Sequence, residues 1–217
     1  MSKTPAQRAR KHGDRAAVAP TTRSGQPVNP TNPTTTRSPE RAQGNARLII
    51  IAGLGASLFM FWYYHLLTLQ QMTQLSGGLP MPDSLIGGFS PDYAHQLQTA
   101  LDDAARGQLS YVHKTAGTIF PLLAGFTFLL VFGTWLKSKA LRWGAFALVA
   151  VFTVVRLWGN VAVDSAVSPG ADAGSAVLAS ALVVAGWVLL FLILVGAGAA
   201  ALLARRERTT PVPASAD

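Results

Sequence analysis

Cysteine is missing from this chain of 217 residues, and charge is scarce. Without cysteine there is no disulfide, no thiol nucleophile and no Cys-ligated zinc or iron–sulfur centre. Only 13% of the residues are charged, about half the fraction of a soluble domain. The four long apolar runs hold neither Asp nor Glu, which excludes paired acids within them for proton relay or intramembrane proteolysis. No Gly-x-Ser-x-Gly, His-Glu-x-x-His or phosphate loop occurs, so familiar hydrolase, zinc-peptidase and nucleotide-binding signatures are also missing. Histidine is limited to His12, His65, His95 and His113. Asp92 and His95 stand at i, i+3, but no further donor is anchored to them, and the expectation is a solvated helix face without metal. No cofactor is called for.

What is present is hydrophobicity, at 50% of residues, and a formal charge of +8. The charge is not spread evenly. Residues 1–47 hold nine Lys/Arg and two Asp/Glu, and the remaining 170 residues hold nine and eight. Basicity is therefore a property of the N-terminal segment, not of a nucleic-acid-binding domain. Residues 1–46 are rich in Thr, Pro, Arg, Ala and Ser and are expected to be a disordered basic tail, because they cannot bury enough apolar surface to offset chain entropy. The apolar run that follows is too long for a signal h-region and lacks an Ala-x-Ala-like site, so it is read as an uncleaved first span.

A bilayer crossing takes about 20 mostly apolar residues. Four stretches qualify, at about 48–69, 116–136, 143–163 and 176–204. They lack period-2 alternation and read as helices, which satisfy their backbone groups internally. The expected fold is all-α: a four-helix transmembrane bundle over residues 47–205, with an external segment at 70–115 and a short tail at 206–217. Arg41 and Arg47, then Lys137, Lys139 and Arg142, then Arg205, Arg206 and Arg208 flank the spans on one side. The other side carries Asp83, Asp92, Asp102, Asp103, Asp164 and Asp172 against Arg106 and Lys114. The positive-inside rule then gives N-in/C-in, in a bacterial plasma membrane. Within the spans, Pro121 removes a backbone hydrogen bond and frees the Gly117 carbonyl. Small residues four apart in span 4, such as Ala176/Ser180 and Ala181/Ala185, suit close helix packing.

The external segment has its own signals. Ser90 fits an N-cap, Pro91 a first helical position and Asp92 the positive end of the helix dipole. Tyr93, Ala94, Leu97, Ala100, Leu101 and Ala104 recur at helical spacing, which predicts an amphipathic helix at about 91–105 with Gly107 as the stop. The helix and the apolar stretches on either side of Asp83, "LPMP" and "SLIGGF", are expected to dock on the bundle. Residues 81–122 combine Asp83, Gly88, Phe89, Arg106, Gly107, Tyr111 and the Phe120–Pro121 pair. That pattern resembles a loose group of uncharacterised small four-span bacterial membrane proteins. The resemblance implies four spans and carries no activity with it. Where that group has acids, near the start of span 2 and within span 3, this chain has Gly117 and Arg156, and it keeps the following Asn160.

Arg156 is the one charge inside a span. It lies about 20 Å along span 3 from Trp143. Its side chain leans toward the helix N-terminus, away from the nearer water, so a polar partner is expected. One reading is a structural clasp of Arg156 with Asn160 and Asp164. Another is snorkelling to the headgroups. A third is an anionic-ligand pocket formed by Arg156, Asn160, Tyr64, His65 and Trp187. For the whole protein the first expectation is a non-enzymatic, partner-binding or accessory membrane protein. Its partners would be membrane lipids and another protein or a second copy, with no nucleic acid. The alternative is a binder or transporter of a small amphiphilic anion centred on Arg156, and a membrane enzyme is the third reading.

Overall fold

The computed structural model describes residues 39–209, and those residues are mostly helical with no strand among them. The tail assigned to residues 1–46 falls outside the described residues as far as position 38, and residues 39–46 are the first turns of a helix. Helix α1, Pro39–Phe61, runs into a π-helical segment, Trp62–Thr68, and then into α2, Leu69–Leu75. A one-turn 3-10 helix follows at Pro82–Ser84. Then come α3 (Pro91–Ala100), α4 (Asp103–Lys114), α5 (Ala116–Trp135), α6 (Lys139–Ala166) and α7 (Ala173–Thr209). Four helical stretches are long and apolar enough to cross a membrane: Ala46–Leu75, Asp103–Trp135, Lys139–Ala166 and Ala173–Arg205. They are numbered here as spans 1 to 4.

The π segment has a local cause. Two aromatic residues and a histidine sit side by side at Tyr63–His65, and Thr68 Oγ1 donates back to the Tyr63 carbonyl at 2.9 Å, holding the widened turn. The segment buries both Tyr64 and His65. Single π turns inside α-helices recur at functional sites.

The helix expected at 91–105 is two helices. Ser90 caps α3 through its hydroxyl, which accepts from the Tyr93 N–H at 3.2 Å, and Pro91 is at the first position. The helix then stops at Ala100, because Asp102 starts another. Its carboxylate accepts from the Ala105 N–H at 2.7 Å, and Leu101 turns extended and buried. Arg106 donates to the carbonyls of Gln98 and Leu101 that the break exposes. Gly107, expected as a stop, lies inside α4, since no turn is needed there once the break has moved upstream.

The core lies between α5, α6 and α7. Phe120, Phe128 and Phe132 of α5 pack with Val149 and Phe152 of α6 and Ile193 of α7. Toward the end reached by α2, α6 and α7 meet through Ala162, Val163, Ala166, Ala176, Ala179 and Val183, with Ala94 of α3 against them. Small side chains let these backbones approach closely. Span 1 behaves differently. It joins the bundle through the π segment and α2 and, in α1, at Ser57, whose hydroxyl donates to Thr127 Oγ1 of α5 at 3.3 Å, while Leu48, Ile49, Ile51, Leu58 and Phe59 face outward.

Candidate functional site: a buried ionic cluster above an apolar groove

Arg156 of α6 is 5% exposed. Its stem crosses α7 at Gly186, where a Cβ would fall 2.6 Å from Arg156 Cδ. Residue 186 therefore has to be small for the arginine to be inside. The guanidinium Nη2 lies 3.4 Å from His65 Nε2 of the π segment and 4.0 Å from Asp83 Oδ1.

Asp83 arrives from outside the spans. The 3-10 turn at Pro82–Ser84 folds inward with Met81, and the carboxylate is buried. Trp187 of α7 donates its indole N–H to the Asp83 carbonyl at 3.1 Å. A second tie is made at Phe89, whose N–H donates to Ser180 Oγ at 2.8 Å. Gly88 permits that approach: its φ is +79°, and a Cβ there would sit 2.5 Å from Ser180 Oγ.

The second Asp83 oxygen is 3.1 Å from His113 Nε2, and His113 Nδ1 is 2.5 Å from Asp164 Oδ1. Carboxylates only accept, so a ring bonded at both nitrogens donates twice and is the imidazolium. Burial pushes the Asp83 carboxyl up, but His113 and then Arg156 outweigh it and hold the group below the usual carboxylate range. The cluster thus pairs two cations, Arg156 and His113, with two anions, Asp83 and Asp164. Asp164 is its wet end, with a quarter of its side chain exposed.

The residues named from sequence are placed as follows. Tyr64, His65, Arg156, Asn160 and Trp187 share one layer. The rings of His65 and Trp187 are 5.0 Å apart, and those of Tyr64 and His65 are 4.7 Å apart. Asn160 and Tyr64 meet at Gly117, where a Cβ would lie 3.0 Å from Asn160 Nδ2 and 3.2 Å from the Tyr64 hydroxyl. Asn160 Nδ2 also donates to the His113 carbonyl at 3.4 Å. The acid at Arg156 is Asp83, not Asp164 as expected in the clasp. Asp164 lies about 12 Å further along the helix from Arg156, beyond side-chain reach, and it binds His113 instead. Buried Arg156 also does not snorkel.

Sequence reasoning passed over Asp83 and His113. Signals for both were present. Leu109, Val112, Ala116 and Phe120 are spaced as one buried face, and His113 falls on it. Asp83 sits between two apolar stretches expected to tuck inward, so it had to be carried with them.

Among the described residues, His65 Nδ1 and Asn160 Oδ1 are buried without a hydrogen-bond partner, and the Tyr64 hydroxyl is buried with no partner in bonding geometry, Asp83 being the acceptor nearest to one. An orphaned buried group costs about 1–3 kcal/mol, so this layer has unmet capacity for a polar occupant. His65 is the most definite. Arginine can only donate, so His65 Nε2 must accept and the proton sits on Nδ1, an unused donor.

One layer of rings away from His65 is a groove of about 490 Å³. Leu54 and Leu58 of span 1 and Phe191 and Leu194 of span 4 form its walls. Phe61, Phe120 and Trp187 also line it, and these three rings pack on the His65 imidazole at 4.8, 5.8 and 5.0 Å. Among the described residues, no group of three His, Asp or Glu side chains is placed to hold a metal ion.

Compared with models of known families, with curated proteins and with solved structures, the chain matches none.

Proposed function

We propose that this is a multi-pass membrane protein that binds a long-chain amphiphile with a hydrogen-bond-accepting head, a carboxyl or carbonyl group. The tail lies in the groove between spans 1 and 4, and the head meets His65. The observation that carries this reading is the unused His65 N–H, buried behind Phe61, Phe120 and Trp187, three rings that line an apolar groove, so that a head reaching His65 has to pass between them. A carbonyl or carboxylate oxygen there would satisfy it. Arg156 is paired with Asp83, so it serves as an anchor for His65 and the full negative charge expected of an anion-only pocket is not required.

The flanking charges support the setting. Lys137, Lys139 and Arg142 mark one end of the bundle, and six aspartates mark the other. This favours N-in/C-in, with α3 as the external amphipathic helix beside the ionic cluster, and the setting we propose is a bacterial plasma membrane. An accessory role toward a protein partner is compatible with this chemistry and is the reading that stands if no amphiphile binds.

The test is an equilibrium titration of the detergent-purified protein with a fluorescent long-chain carboxylic acid. His65→Phe keeps the ring packing and removes the donor, so affinity should fall about tenfold, the value of one hydrogen bond to a polar head. Leu190→Trp fills the groove and should abolish saturable binding. Equal affinities for all three proteins would reject the site.

A further inference from the structure

The same seam between spans 1 and 4 opens a second time at the far end of the bundle. A cleft of about 300 Å³ is lined there by Arg47, Ile50 and Ile51 of span 1, Trp135 of span 2, and Ala201 and Arg205 of span 4. Two arginines from different helices, both exposed, line one small space. Among the described residues no acidic side chain lines it, and neither arginine makes an ion pair with any of them.

From this geometry we infer a binding site for the phosphate of an anionic phospholipid, held between Arg47 and Arg205 with its acyl chain running along Ile51. The charge argument is direct. Two like charges facing one cleft repel each other and raise its potential, and an anion between them reverses the sign of that interaction. Guanidinium groups match phosphate oxygens with paired donors. The mixed lining fits a lipid better than a free ion. Ile51 is 66% exposed, offering an acyl chain a path out of the cleft, and Trp135 is the kind of ring that sits at headgroup depth. Holding one lipid against both helices would also tie the weakly packed start of span 1 to span 4. The inference does not depend on the amphiphile groove, which lies further along the seam and has no charged residue in its lining.

The test is thermal unfolding of the full-length protein in uncharged detergent with added phosphatidylglycerol, phosphatidylcholine or inorganic phosphate. At a lipid concentration about ten times Kd, phosphatidylglycerol should raise Tm by about 3–6 °C. Phosphatidylcholine and inorganic phosphate should leave it unchanged. The double substitution Arg47→Gln, Arg205→Gln should remove the shift. Arg142→Gln, at the same end but outside the cleft, should keep it. A shift that survives the double substitution, or that Arg142→Gln removes to the same degree, would mean general attraction to a basic surface and overturn the site. An equal shift with inorganic phosphate would overturn the lipid as its occupant.

Discussion

The two sides of span 4 are built by opposite rules. Toward span 3 it presents Ala176, Ala179 and Val183 to Ala162, Val163 and Ala166, and the seam is closed. Toward span 1 it presents Trp187, Leu190, Phe191 and Leu194 across a gap of about 490 Å³. Apolar side chains cover both sides. The difference is size: small residues draw two backbones together, whereas large ones facing a helix that does not approach leave space a chain can fill. Hydrophobicity alone therefore does not distinguish a structural seam from a binding seam in a membrane bundle. Packing and unsatisfied polar atoms do.

The largest effect belongs to the ionic cluster that sits over both seams. Asp83→Ala leaves Arg156 and His113 buried without their shared acid, and should cost about 3–5 kcal/mol of stability. Thermal unfolding in detergent reads this directly. Asp83→Ala should cost much less in an Arg156→Leu background, because coupled residues do not add. Strictly additive losses would separate Asp83 from Arg156 and break the cluster into unrelated parts.

The closed seam should be the less forgiving of the two. Ala179→Leu, at a position with no exposure, should lose about 1–3 kcal/mol through overpacking. Leu194→Phe on the open seam, at a position 53% exposed, should stay within about 0.5 kcal/mol. Equal losses would erase the distinction between the seams. Gly186 lies against the Arg156 side chain. Gly186→Ala places a methyl group against Arg156 Cδ and should cost about 1–3 kcal/mol, with the loss relieved when residue 156 is Leu.

Much of this was legible in sequence. The four spans follow from run length, and the layer of Tyr64, His65, Arg156, Asn160 and Trp187 follows from matching depths along three of them. The α3 cap at Ser90 and Pro91 was also readable, because capping is local. The break at Leu101 was not. It depends on Asp102 competing as a cap and on Arg106 taking freed carbonyls, and spacing of apolar residues continues unbroken through both. Asp83 as the partner of Arg156 was hidden for a different reason. Depth along a helix can be counted, but where a loop of turns and glycines re-enters the bundle cannot. The groove beside His65 was beyond reach altogether, since a gap between helices leaves no mark on the residues that line it.

A smaller effect should appear with acid. Asp83 holds its proton less readily in the fold than in the unfolded chain. Its stabilising contribution is thus complete above the ordinary carboxylate value of about 3.9 and is lost as pH falls below that toward the lower folded value. A Tm profile from pH 7 to pH 3 should fall at its acid end, and Asp83→Asn should flatten that fall. A profile unchanged by the substitution would remove Asp83 from the charged cluster.

The open seam as an occupied site is tested most directly by position-resolved photolabelling. A long-chain carboxylic acid carrying a diazirine close to its head would be irradiated with the protein in native membranes, and the labelled peptides mapped. Labels should concentrate on Phe61–His65 and on the stretch from Trp187 to Leu194, and they should be displaced by excess unlabelled acid. Labelling spread over every lipid-facing helix, with no displacement, would contradict the account and leave the groove as ordinary membrane-facing surface.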